Sequence, residues 1–262
     1  MNKTILSAVV ASVAVLAAGA WWYFSSVQVS PLQYSTIRIG VDAPYPPYEF
    51  FDEKGELTGF EVDLGNALCK RLEVNCEWIV TPWDTIIDDL NAGKFDMIMS
   101  SMSIEADRKK LVDFSNAYYS TPSVFFARKG DFFKGVSTSD VKDKKIAVQS
   151  GTLQHKHLQD KYGANIQILT FDGWDGVSAS FRSGEADLVL TDYPQWEGEF
   201  MLEGVYEVVG DPIQVGDGVG LAFRKSDSNL RKAMNKALDY TKTYGEFQRF
   251  RRKYFFYDIM VN

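Results

Sequence analysis

Residues 83–101 read WDTIIDDLNAGKFDMIMSS, and residues 174–192 read WDGVSASFRSGEADLVLTD. At a single offset of 91 positions, Trp83-Asp84, Gly93, Asp96 and the apolar run Met97-Ile98-Met99 find counterparts in Trp174-Asp175, Gly184, Asp187 and Leu188-Val189-Leu190. Self-similarity at a fixed spacing means that one supersecondary unit is used twice. Each copy reads as a helix that passes into a short strand. The same offset carries Ser101 onto Asp192, so each strand ends in a polar group. In open α/β sheets that carboxyl edge is where ligands bind. Two such units imply two lobes with a cleft between them, a favoured place for a small-molecule site.

Outward from the repeat, Ile37, Ile39 and Val41 alternate with polar or small neighbours and give a strand ending at Asp42, followed by the turn Pro44-Tyr45-Pro46-Pro47. Phe60, Leu64, Ala67, Leu68 and Leu72 recur at helical spacing, as do Trp83, Ile86, Ile87 and Leu90. Strands alternating with helices predict parallel sheets. The design restarts after residues 123–127 with Lys145–Val148, Ile166–Leu169 and a helix carrying Trp174, Val177 and Phe181. A last helical stretch, with Leu230, Ala233, Met234, Ala237 and Leu238 on one face, breaks at Tyr244-Gly245 and has no copy in the first half. It is expected to cross back onto the first lobe. The predicted organisation is an N-terminal leader over 1–30, lobe 1 over 35–120 and 221–262, and lobe 2 over 123–217, with crossings near 120–123 and 216–220. The glycine-rich run Gly216–Gly220 lacks the strand-then-helix context of a phosphate loop and reads as hinge or turn.

The chain has 262 residues and formal charge −7, and its first 36 residues hold one charged side chain, Lys3, which leaves an acidic body. That sign argues against a nucleic-acid partner, which clustered Lys and Arg would serve. The only histidines, His155 and His157, fall on different helix faces, so no multi-histidine metal site is expected and they read as solvated. No cofactor motif is present. Residues 5–20, ILSAVVASVAVLAAGA, end in Ala18-Gly19-Ala20 and read as an export signal. The apolar run continues through Trp21-Trp22-Tyr23-Phe24, so an uncleaved membrane anchor is the alternative. In an exported chain, two cysteines, Cys69 and Cys76, favour a disulfide, worth roughly 2.5 kcal/mol by chain entropy.

IRIGVDAPYPPYEF (37–50), GFEVDLGNALCKRL (59–72), SSMSIEADRKKLVDFS (100–115), AVQSGTLQ (147–154), LVLTD (188–192) and GEFQRFRRKYF (245–255) together resemble the polar amino-acid solute-binding proteins of ABC importers, family 3, and within them the lysine/arginine/ornithine- and histidine-binding branch. The resemblance implies a two-lobe α/β periplasmic-binding fold with a two-stranded hinge, no catalysis and no cofactor. It also implies a monomer whose partners are a free L-amino acid, polar and most often basic, and an ABC permease. Arg108 would grip the ligand α-carboxylate, since a planar guanidinium makes two parallel charge-assisted bonds that Lys cannot copy. The competing reading is a surface arginine paired with Glu105 or Asp107. Thr152 would reach the same carboxylate from the opposite wall, a role compatible with capping a helix. Asp192, after an apolar strand, needs a cationic partner, and the ligand ammonium supplies one. Ser100, Ser101 and Ser103 match the run that accepts from the ammonium and donates to the carboxylate. Asp42, Tyr45 and Trp83 would read the side chain, aromatics against its stem and carboxylate toward a distal cation. Leu153 departs from the family, where many relatives carry a hydroxyl residue.

Two rival functions fit the same scaffold. One is a cyclohexadienyl (arogenate or prephenate) dehydratase, for which Glu49 is the spare acid. The other is an amino-acid sensor held by an uncleaved leader. The basic run Arg249–Lys253 reads as a solvated helix face, with an anionic surface or the permease as its alternative partner.

Overall fold

Ile37, Ile39 and Val41 are all fully buried and anchor β1 (Thr36–Val41), an interior strand of the first lobe's sheet with a neighbour on each side. The computed structural model describes residues 34–259. The leader reading lies outside them, and among the described residues no helix is long and apolar enough to cross a membrane.

After the hairpin β2 (Phe50–Phe51) and β3 (Leu57–Thr58), α1 (Phe60–Arg71) buries Phe60, Leu64 and Leu68 and leads into β4 (Asn75–Val80). A short 3-10 turn at Trp83–Thr85 opens α2 (Ile86–Asn91), then come β5 (Met97–Ile98), α3 (Ala106–Leu111) and β6 (Asp113–Phe114). The second lobe runs through β7 (Ser123–Arg128), β8 (Lys145–Gln149), α4 (Leu153–Tyr162), β9 (Gln167–Phe171), α5 (Trp174–Ser183), β10 (Leu188–Asp192) and β11 (Tyr206–Ile213). The chain then returns through β12 (Ala222–Phe223), α6 (Ser228–Thr243) and α7 (Glu246–Tyr254).

The two five-stranded sheets have matching orders, β4-β1-β5-β12-β6 and β9-β8-β10-β7-β11. The sheets are mixed rather than parallel. β1 runs parallel to β4 and β5, and β8 to β9 and β10, but β12 and β7 pair antiparallel with β5 and β10. The reason lies in the crossings. A strand entering a lobe from the hinge starts at the carboxyl edge of its neighbours, as Ser123 pairing with Asp192 shows, and must run the opposite way.

The sequence repeat is a structural one. The Arg38 amide donates to the Asp96 carboxylate at 3.0 Å while the Asp96 amide donates back to the Arg38 carbonyl at 2.8 Å. Lys145 and Asp187 repeat both bonds, each at 2.8 Å. Gly93 (φ 78°) and Gly184 (φ 84°) both end their helices in the left-handed region that a side chain resists. Arg38 and Asp96 are 58 positions apart but Lys145 and Asp187 only 42, and the β2–β3 hairpin falls inside the longer interval.

Cys69 and Cys76 form a disulfide, with Cα atoms 5.8 Å apart, that ties the end of α1 to β4. α6 and α7 pack on α1, where Phe60 meets Phe247 and Phe255 edge to face. The basic run is only partly a solvated face: Arg251 binds Gln248 and the Tyr257 carbonyl, and Lys253 pairs with Asp63 at 2.7 Å. His155 and His157 are half-buried rather than solvated, because His157 packs on the Tyr162 ring and His155 bonds Gln159.

Candidate functional site

Asp42, Tyr45, Trp83, Ser100, Ser101, Ser103, Arg108, Thr152 and Asp192 all line one cleft, together with Glu49, Gln149, Leu153 and Gln154. The carboxyl edges of β1, β5, β8 and β10 bring them together. Asp42 follows β1, Ser100 follows β5, Gln149 ends β8 and Asp192 ends β10.

Arg108 is 8% exposed and has no carboxylate partner among the described residues. Glu105 is engaged at the start of α3, where it accepts the amides of Asp107 and Arg108, and Asp107 pairs with Lys110. The guanidinium instead donates to the carbonyls of Ser103 (3.0 Å) and Gly151 (3.2 Å) and lies over the Trp83 ring at 5.1 Å. Burial lowers its pKa to about 10. Gly151 holds φ 66°, and a Cβ there would stand 3.0 Å from the Asp84 carboxylate, so glycine lets the second lobe approach the Trp83-Asp84 turn closely. Next in the chain, Thr152 caps α4 by accepting from the His155 amide while its hydroxyl donates to the Gln149 carbonyl.

On the opposite side, Asp192 accepts from the Tyr45 hydroxyl (3.0 Å), the Ser123 hydroxyl (3.2 Å) and Gln154 Nε2 (2.9 Å). All three donors are neutral. Burial pushes its pKa up to about 6 in spite of them. Tyr45 reaches across the cleft for this bond and sets its ring edge on to Trp174, centroids 6.1 Å apart.

Asp42 is a second acid without a cation. Its amide donates to Ser100 Oγ at 2.9 Å and its carboxylate accepts from Gln149 Nε2 at 2.8 Å. Burial raises it to about 6, with Asp84 adding to the shift against the Gln149 bond. Glu49 is a third, 1% exposed, accepting from the hydroxyls of Ser100 (3.1 Å) and Ser101 (3.4 Å). Each serine oxygen also accepts from the protein, Ser100 from the Asp42 amide and Ser101 from the Tyr119 hydroxyl. Burial and the neighbouring Glu61 hold the Glu49 carboxyl well above the usual range.

Four cleft residues were not among the expected binding set. Glu49, read only as a spare acid, stands between Tyr48 and Phe50, and an acid inside a buried aromatic run signals a carboxyl that needs polar company. Gln149 is the second-lobe counterpart of Asp42 at the strand end, hidden from the 91-residue offset by the hairpin in the first lobe. Leu153 stands out in the sequence only as a departure from the family. Gln154 carried no signal in sequence, since one glutamine at a helix start is unremarkable. Among the described residues no group of three or more His, Cys, Asp or Glu is arranged to hold a metal ion.

Comparison with known proteins agrees with this architecture. The L-arginine-binding protein of Pseudomonas aeruginosa is 34% identical over 231 residues, covering 85% of this chain and 89% of its own. The lysine/arginine/ornithine-binding periplasmic protein of Escherichia coli is 31% identical over 232 residues, 86% of this chain and 89% of its own. Among solved structures, an ancestral amino acid-binding protein described as a precursor of cyclohexadienyl dehydratase superposes with TM-score 0.78 at 36% identity, covering 84% of this chain and 96% of its own. The profile of the bacterial extracellular solute-binding proteins, family 3, matches residues 37–257, and the chain belongs to that family.

Proposed function

We propose that the protein captures a free amino acid with a cationic side chain in the periplasm, closes its two lobes over it and presents it to an ABC permease without chemical change. The observation that carries this reading is the charge inventory of the cleft: Asp42, Glu49 and Asp192 against Arg108 alone. A zwitterion uses one charge of each sign, its carboxylate on Arg108 and its ammonium at Asp192. Asp42 and Glu49 then remain for the side chain, where a distal cation neutralises one negative charge and a neutral side chain neutralises none. Arginine, lysine, ornithine and histidine meet this requirement; glutamine, which can bond but not neutralise, is the second choice. A dehydratase needs an acid free to give its proton to a leaving group, and with Asp42 and Asp192 facing ligand cations that leaves only Glu49, so the incubation below is the test of that alternative.

Thermal melting against the twenty amino acids and ornithine tests the reading. A ligand at about 100 times its dissociation constant adds roughly 2.7 kcal/mol to the folded state. A basic amino acid should raise the midpoint most, and no response to any amino acid would end the transport reading. Incubation with prephenate or arogenate should yield no phenylpyruvate or phenylalanine.

The acids also set a pH dependence. Asp42 and Asp192 both titrate near 6. Bound cations favour their ionised forms, so below that pH binding must first drive off protons. Affinity for arginine or lysine is expected to fall by roughly tenfold or more between about pH 6.5 and 5. An affinity that is flat or rising over that interval would separate these carboxyls from the ligand.

A further inference from the structure

Behind the cleft lies an acid outside the proposed ligand contacts. Glu61, on α1, is 0% exposed. The Ser101 amide donates to one of its oxygens at 3.3 Å and the Tyr118 hydroxyl to the other. Ser101 Oγ accepts from the Tyr119 hydroxyl at 2.9 Å and donates to Glu49 on its far side. One serine is thus wedged between two buried carboxyls, and it holds φ 51°, a left-handed conformation uncommon for a side chain other than Gly, Asn or Asp.

The groups that face the pair are acids and phenols. Asp42 faces Glu49 from the end of β1, Tyr45 faces it from the proline-rich turn, and Tyr118 and Tyr119 face both glutamates. Asp63, also on α1, turns away to Lys253 and Tyr254. Among the described residues neither glutamate has a Lys or Arg in an ion pair. Two buried like charges with only neutral donors do not both stay ionised, and their protons belong to the pair rather than to either residue.

We propose that Glu49 and Glu61 share one proton across Ser101, and that Glu61 is a positioning residue through which the cleft reads ligand charge: a cationic side chain arriving at Glu49 expels the proton, whereas a neutral one leaves it. This deepens the amino-acid-binding reading and rests on it.

Calorimetry at about pH 7.5 in two buffers of different ionisation enthalpy counts the protons released. There Asp42 and Asp192, titrating near 6, are already largely ionised and contribute little. Arginine or lysine should release about half to one proton per ligand, and glutamine close to none. Glu61→Gln keeps an acceptor for the Ser101 amide but removes the like charge, so release on arginine binding should fall by about half or more while binding persists. Tyr118→Phe, a milder change, weakens the ionised form of Glu61, moves the proton there and lowers release in the same direction. Equal release for arginine and glutamine, or a count unchanged in both variants, would overturn the proposal. Basic amino acids binding without proton release would remove this inference alone, whereas no binding of any amino acid would remove the functional reading beneath it.

Discussion

Replacing Arg108 with alanine is expected to cost amino-acid binding about 2–5 kcal/mol, the range for truncating one partner of a buried charge pair. Each 1.4 kcal/mol is tenfold, so the dissociation constant should rise about thirtyfold or more for basic and neutral ligands alike. The argument is geometric. The guanidinium is buried, its nearest acids are committed elsewhere, and its partners are two carbonyls and an indole face. An α-carboxylate entering the cleft would provide the missing countercharge. Because only carbonyl partners are lost, the variant should fold and melt close to wild type. Arg108→Lys, which keeps the charge but not the fork, should fall between the two. Calorimetry on folded Arg108→Ala that returns the wild-type dissociation constant would remove Arg108 from the site.

The repeat at 83–101 and 174–192 revealed the lobes because each copy carries its own closing device, the aspartate that takes a strand amide and the glycine that stops the helix. Sheet direction was not legible in the same way. Alternation of strand and helix says nothing about a strand such as β7 or β12 that arrives from another lobe, and its antiparallel course follows from where the crossing enters. The cleft acids divide similarly. Asp42 and Asp192 stand at strand ends, where a buried run stops and a polar residue is conspicuous. Glu49 sits in the irregular turn between β1 and the hairpin, where no period singles it out. Gln154 meets Asp192 only because α4 packs beside β7 and β10, a tertiary juxtaposition invisible to spacing.

Asp42→Asn is expected to weaken basic ligands more than neutral ones. With a lysine or arginine in the cleft, the substitution removes one of the two carboxylates left for the side chain and presents an amide whose donors face a cation, a loss of about 2–5 kcal/mol. Glutamine has no charge to strand, and the new carboxamide can still accept from its amide, so its loss should stay near 0.5–1.5 kcal/mol, about one neutral hydrogen bond. The bond from Gln149 survives, because an asparagine oxygen can accept where Asp42 now does at 2.8 Å. Lobe contact at this point is therefore retained, and the comparison isolates charge. Glu49 sets the size of the effect: Asp42 is among the groups that hold its carboxyl up, so neutralising Asp42 makes Glu49 easier to ionise and lets it recover part of the lost attraction. The ratio of arginine to glutamine affinity should still fall by about tenfold. A wild-type protein that prefers basic ligands and a mutant that keeps that preference undiminished would show that the side chain is read elsewhere, with Glu49 the acid to replace next.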